Sequence, residues 1–215
     1  MHRYFVTGTD TDVGKTRVTA SLALALKEAG ITPTIVKLVQ TGLAPGVPGD
    51  AARAGKLSGA RFVELARFEK AADPWSAAVA FNLPEVHASE LVDAVAHIEH
   101  GLVAEGAGGL MVHLNQREHF GHVAAMGKLD TIVVIGLKLG CLNHALLTIN
   151  QAQTGGLPIA GAVLVERWGP TDQAYRDDVV RNLQGKVHLF GLMSYNEDEA
   201  ASVAEGATLF HSLFH

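Results

Sequence analysis

"GTDTDVGKT", residues 8–16, decides how the rest of this chain is read. It follows the apolar stretch "RYFVT" at residues 3–7 and runs straight into "KTRVTASLALALKE" at 15–28, whose apolar positions recur at helical spacing. A tight turn has no use for a lysine followed by a threonine. A glycine loop between a strand and a helix aims backbone N–H groups and the positive end of the helix dipole at one point, which is a cradle for phosphate. The general phosphate-loop pattern is G-x-x-x-x-G-K-[ST]. Here five residues separate Gly8 from Gly14. The strand before the loop and the helix after it preserve the reading: Lys15 reaches β- and γ-phosphates, and Thr16 offers its hydroxyl to Mg²⁺.

The next strand outward is "TPTIVKLVQ", residues 32–40. Lys37 stands there where an apolar residue is expected, and a lysine in an inner strand is costly unless an anion meets it. Convergence of Lys15 and Lys37 on a transferring phosphoryl group satisfies that demand; an edge strand with a snorkelling lysine is the alternative. Bound Mg²⁺ calls for carboxylates as well. Asp50 closes the Gly/Pro loop "TGLAPGVPGD", and Glu105 ends a strand in "VAEGAGG". Both fall at the carboxyl ends of strands, where open α/β sheets bind ligands. Asp50 is equally placed to cap a helix starting at Ala51.

Further strands are read in 100–109, 130–137, 158–166 and 186–193. Helices are read in 88–99, with Ser89 as cap, and in 143–153, 171–184 and 197–213. Alternating strands and helices predict an α/β fold, a parallel sheet flanked by helices, in one domain spanning 1–215. The 215 residues are 48% hydrophobic and 18% charged with a net charge of −5, the balance of a well-buried domain. No basic run is present, so nucleic-acid binding is not expected. The apolar runs fall far short of a membrane span, and with "MHRYFVTG" entering a strand at once a signal peptide is not expected. A lone cysteine, Cys141, fits a reducing cytoplasm. His97, His100, His113, His119 and His122 lack a compact metal-ligand spacing and are read as solvated or hydrogen-bonded histidines.

Four segments, "YFVTGTDTDVGKT", "VKLVQTG", "VAEGAGGL" and "GLKLGCLNHALLT", together and in this order resemble the dethiobiotin synthetases. The five-residue loop spacing is that family's own variant. The resemblance implies a homodimer whose subunits carry a phosphate-loop NTPase fold with a seven-stranded, mostly parallel sheet. It implies ATP-dependent carboxylation of 7,8-diaminononanoate by CO₂ and closure of the ureido ring. It makes Lys15 and Lys37 catalytic, and Thr16, Asp50 and Glu105 the Mg²⁺ ligands. Nucleotide contacts fall on Asp12, Val13, Gly14, Lys15, Thr16, Arg17, Asp50 and Glu105. They continue through Gly106, Ala107, Gly108, Val165, Glu166, Ser194, Tyr195 and Asn196. Thr11, Thr41 and Gly108 would meet the carbamate or diamine. Leu142 and Asn143, at a helix start, would bind the substrate carboxylate across the dimer interface, with Tyr175 assisting.

Two departures stand out. Asp12 occupies a position where the family often has Glu. Val165 occupies the strand end where many members place an asparagine that reads adenine, and valine supplies neither donor nor acceptor. Relaxed choice among nucleoside triphosphates is therefore expected. The competing reading is a nucleotide switch of the ParA/MinD kind; those relatives carry "KGG" in the loop where this chain has "GTD".

Overall fold

The computed structural model describes residues 2–214. Seven strands, β1 (Arg3–Gly8), β2 (Thr34–Thr41), β3 (Arg61–Phe68), β4 (Leu102–Gly109), β5 (Asp130–Gly136), β6 (Ile159–Val165) and β7 (Leu189–Met193), form one sheet in the order β3-β2-β4-β1-β5-β6-β7. Every paired strand runs parallel. Parallel pairing requires a crossover between strands, and helices supply it. They are α1 (Lys15–Glu28), α2 (Asp50–Ser58), α3 (Pro74–Ala80), α4 (Ala88–Val95), α5 (Phe120–Met126), α6 (Cys141–Thr154), α7 (Gln173–Leu183) and α8 (Glu199–Thr208).

Strand alternation assigns the two faces. Tyr4, Val6, Ile132, Val134, Val163 and Val165 pack with α1, α2 and α8. Phe5, Val36 and Ala104 pack with α3, α4 and α5. Val133, Ile135, Ala162 and Leu164 pack with α6 and α7 on that same side. Central strands buried on both faces are continuously apolar, which is why "DTIVVIG" was legible as a strand.

The structure departs from the sequence expectation at β3, at α3 and α5, which the sequence reading did not include, and at the bounds of α4. β3 was not expected; its residues are largely part-exposed, with Phe62 and Val63 facing solvent, because it is the sheet edge. β2 is accordingly an inner strand, so the edge-strand alternative for Lys37 is excluded. α4 is capped at His87, not Ser89, and ends at Val95. Among the described residues no helix is long and apolar enough to cross a membrane.

Candidate active site

The phosphate loop is closely built. A Cβ at Gly8 would stand 2.7 Å from the Asp10 carbonyl oxygen and 2.8 Å from Val13 Cγ2. Gly14 precedes α1 at φ 102°, and a Cβ there would lie 2.9 Å from Val165 Cγ1. Asp12 adopts φ 57°, a left-handed conformation that short Asp tolerates better than most side chains. No side chain caps α1, so the orphan N–H groups of its first turn remain available to a ligand. Lys15 is buried, and its Nζ donates to the Asp10 carbonyl oxygen at 3.0 Å. Burial pushes the Lys15 pKa down, and the nearby Lys37 charge adds to this against the pull of Glu105.

Lys37 sits opposite Glu105 in the β2–β4 register. Its Nζ lies 2.7 Å from Glu105 Oε1, 2.6 Å from Asp50 Oδ2 and 3.1 Å from the Gly106 carbonyl oxygen. The anion that a buried lysine demands is thus supplied by the protein's own carboxylates. Burial works to lower the Lys37 pKa, but Glu105 and Asp50 outweigh it and hold it above the ordinary lysine value. Thr16 Oγ1 donates to Glu105 Oε1 at 3.2 Å, and Glu105 Oε2 is buried with no hydrogen-bond partner. Asp50 does not cap α2; Gly49 does. Asp50 is fixed instead by Gln40, whose Oε1 accepts the Asp50 N–H at 2.9 Å.

These groups open into one cavity of about 570 Å³. Of the residues named from the sequence, Thr11, Asp12, Gly14, Lys15, Thr16, Arg17, Lys37, Thr41, Asp50, Glu105, Ala107 and Gly108 line it. Gln40, Arg53 and Arg167 line it too and were not expected. Arg53 had a signal: it follows Asp50 by three residues on α2, where side chains share a face.

The remaining expected nucleotide contacts are not on the cavity wall. The Val13 side chain is in the core, leaving only its backbone for a phosphate. Strand alternation turns the Val165 side chain inward, where it is buried against Gly14 beneath the loop and away from the cavity. The Glu166 carboxylate is buried, and Oε1 accepts the Thr171 N–H at 2.8 Å and Arg176 Nη1 at 3.1 Å. Oε2 accepts the Tyr195 N–H at 3.0 Å. Burial raises the Glu166 pKa, but these donors prevail and hold it below the usual carboxylate value. Glu166 therefore clamps the loops after β6 and β7 together, with three donors on its two oxygens. Ser194 and Tyr195 belong to the clamped loop, and Asn196 Oδ1 accepts the Asp198 N–H at 2.9 Å. Trp168 lies against Gly136, half exposed, with Lys138 Nζ 5.1 Å above its ring.

Leu142, Asn143 and Tyr175 also lie off this cavity. Gly140, at φ 89°, precedes α6, and Asn143 is exposed on its first turn. The Tyr175 hydroxyl donates to the Lys138 carbonyl oxygen at 2.7 Å and lies 3.4 Å from Cys141 Sγ, pinning α7 to the approach of α6. Leu139 beside it is 93% exposed, and Leu147 one turn on is 62% exposed.

A family model described as an AAA domain matches residues 2–201. The ATP-dependent dethiobiotin synthetase BioD of Rhodococcus jostii (strain RHA1) is 45% identical over 165 residues, 74% of this chain and 71% of that protein. The protein of the same name from Rhodococcus erythropolis (strain PR4 / NBRC 100887) is 35% identical over 222 residues, covering 96% of each chain. Among solved structures, the cell division ATPase MinD of Pyrococcus furiosus superposes with a TM-score of 0.60 at 16% identity, over 99% of this chain and 100% of that one. A ParA family ATPase from Chlorobium tepidum TLS gives 0.59 at 13% identity, over 99% and 93%. At that identity the MinD and ParA likeness is one of fold alone. The phosphate loop, the lysine held between two carboxylates and the curated relatives converge, and the chain belongs to the ATP-dependent dethiobiotin synthetase family.

Proposed function

We propose that this protein is a ligase that carboxylates 7,8-diaminononanoate with CO₂ and closes the ureido ring, giving dethiobiotin, ADP and phosphate, within one catalytic domain spanning residues 1–215. The observation that carries the reading is the Lys37–Glu105–Asp50 cluster beside the phosphate loop, in the same cavity as Thr11, Thr41 and Gly108. One substrate amine adds to CO₂ and loses a proton, leaving a carbamate. A carbamate oxygen attacks the γ-phosphorus and ADP departs, leaving a carbamic–phosphoric anhydride. The second amine attacks the anhydride carbonyl carbon, loses its proton and expels phosphate, which closes the ring. Phosphoryl transfer needs positioning and charge neutralisation more than covalent help from the protein. Lys15 serves the phosphate chain. Lys37, kept protonated by its carboxylates, meets the negative charge shared by carbamate and phosphoryl oxygens.

The oxygen-only donor set of Thr16, Asp50 and Glu105 fits Mg²⁺, and the partnerless Glu105 Oε2 is an acceptor awaiting a ligand. When bound, the ion supplies charge neutralisation at the phosphate oxygens. The exposed Leu139 and Leu147 around the start of α6 support a homodimer in which Asn143 and the neighbouring α6 amides take the substrate carboxylate of the opposite subunit. ATP dependence and a lone buried cysteine are consistent with a cytoplasmic setting. The test is an assay with purified protein, ATP, Mg²⁺, bicarbonate and diaminononanoate. Dethiobiotin and ADP should appear in equal amounts, each dependent on the diamine. ADP release indifferent to the diamine, with no ring product, would return the chain to the nucleotide-switch reading.

A further inference from the structure

The cavity holds a second charged group, of a different balance from the first. Lys37 is matched by two carboxylates. Arg17 on the first turn of α1, Arg53 on α2 and Arg167 just after β6 gather around a single one, Glu199 at the start of α8. Arg53 grips Glu199 with two donors, Nε to Oε2 at 3.2 Å and Nη2 to Oε1. Arg17 Nη2 stands 3.9 Å from the same Oε1. Burial first, then the adjoining Arg167 charge, pushes the Arg17 pKa down, so the guanidiniums are close enough to repel one another. Among the described residues Arg167 forms no ion pair. Arg53 also feels Asp50, but that carboxylate already pairs with Lys37, so the three guanidiniums around Glu199 keep an excess of positive charge on this part of the cavity wall, and a bound anion relieves it. The planar donor fork of arginine fits phosphate oxygens two at a time. Arg17 belongs to the same helix turn whose free N–H groups face the phosphate cradle.

We propose that Arg17, Arg53 and Arg167 form a guanidinium subsite for a non-transferred phosphate of the nucleotide, and that Glu199 is its resident counter-anion, which the phosphate displaces. The proposal rests on the nucleotide-dependent reading above. It adds an affinity that is blind to the base, since phosphate is common to every nucleoside triphosphate.

The test is calorimetric titration of the full chain with Mg·ATP, Mg·tripolyphosphate and inorganic phosphate. The variants are Arg17→Gln, Arg167→Gln and Glu199→Gln, each checked for an unchanged thermal transition. Both arginine variants should weaken ATP and tripolyphosphate in parallel by about tenfold, equivalent to ~1.4 kcal/mol. Glu199→Gln should tighten both by roughly threefold, because a competing anion is gone. It is part-exposed near the start of α8, and it keeps the question open to measurement even where an arginine variant folds poorly. Unchanged ATP affinity in the arginine variants overturns the proposal. So does a loss confined to ATP, which would place base or ribose at the guanidiniums, or a loss confined to inorganic phosphate, which would make the cluster a separate anion site. Weaker or unaltered binding in Glu199→Gln overturns the counter-anion role. Wild-type protein that binds no ATP would refute the functional reading itself, which is a different outcome.

Discussion

A single residue, Lys37, is central to the proposed chemistry and shows how a costly placement is made stable. An ammonium buried at 2% exposure is tolerated because Glu105 and Asp50 meet it. Lys37→Ala should therefore do two things. Turnover should fall by orders of magnitude while ATP affinity changes little, measured as kcat against the Kd for ATP. Stability should fall by about 3–5 kcal/mol in denaturant unfolding, because Glu105 is left as an unpaired buried charge. Lys15→Ala should instead abolish most nucleotide binding together with turnover. A Lys37→Ala enzyme turning over near the wild-type rate would remove its assigned role. At Val165 the structure changes the expectation. An asparagine there would bury its amide in the core beside Gly14, so Val165→Asn should cost about 1–3 kcal/mol of stability and leave base preference unaltered. With Val165 turned inward and Glu166 occupied in joining two loops, GTP and CTP should support kcat/KM within about tenfold of ATP, no more than ~1.4 kcal/mol of discrimination. A hundredfold preference for ATP would mean that another group reads the base.

Between elements, a few buried polar groups fix how the loops meet. Glu166 joins the loops after β6 and β7 through two backbone N–H groups. Glu166→Gln replaces one acceptor oxygen with a donor facing a donor. ATP affinity should weaken several-fold while tripolyphosphate affinity holds, since the phosphate loop is untouched; equal losses for both would assign Glu166 a general structural part. His119 supplies a pH dependence. Its Nδ1 accepts the Gly121 N–H at 3.1 Å at the start of α5, and burial, with His122 and His113 nearby, lowers its pKa from 6.5 to about 4. The folded state keeps this imidazole neutral while the unfolded chain takes up a proton. The stability it contributes is therefore present above about 6.5 and lost as the pH falls towards 4. His119→Asn keeps an acceptor and removes the titration, so it should flatten the decline of Tm with pH across that range; an identical slope would exclude His119. The sequence showed the elements whose pattern is local: the glycine loop, the helix it opens, and the strands buried on both faces. It hid β3, half-exposed at the sheet edge, and α3, although Asp73 before Pro74 spells a cap followed by proline at the first helical position. It marked residues that share the cavity at the phosphate loop and could not assign the directions of Val165 and Glu166. Those depend on which strand face meets α1 and on which distant loop supplies donors, and neither is encoded near the residue itself.

At the scale of the molecule, seven parallel strands carry β1, β2 and β4 side by side, so the phosphate loop, Lys37 and Glu105 converge from positions far apart in the chain. In the proposed homodimer the exposed start of α6 would meet the second subunit. Light scattering should report a dimer, and Asn143→Ala should raise the KM for the diamine with little change in the KM for ATP; a fully active monomer would remove the shared carboxylate site. The central claim is that a carbamate oxygen becomes bonded to the γ-phosphorus in this cavity. Oxygen tracing tests it most directly. The reaction is run briefly with fully ¹⁸O-labelled CO₂, and the released phosphate is examined by mass spectrometry. One ¹⁸O atom per phosphate is the expected result, because that oxygen leaves the carbon still bound to phosphorus. Unlabelled phosphate formed alongside dethiobiotin would contradict the account.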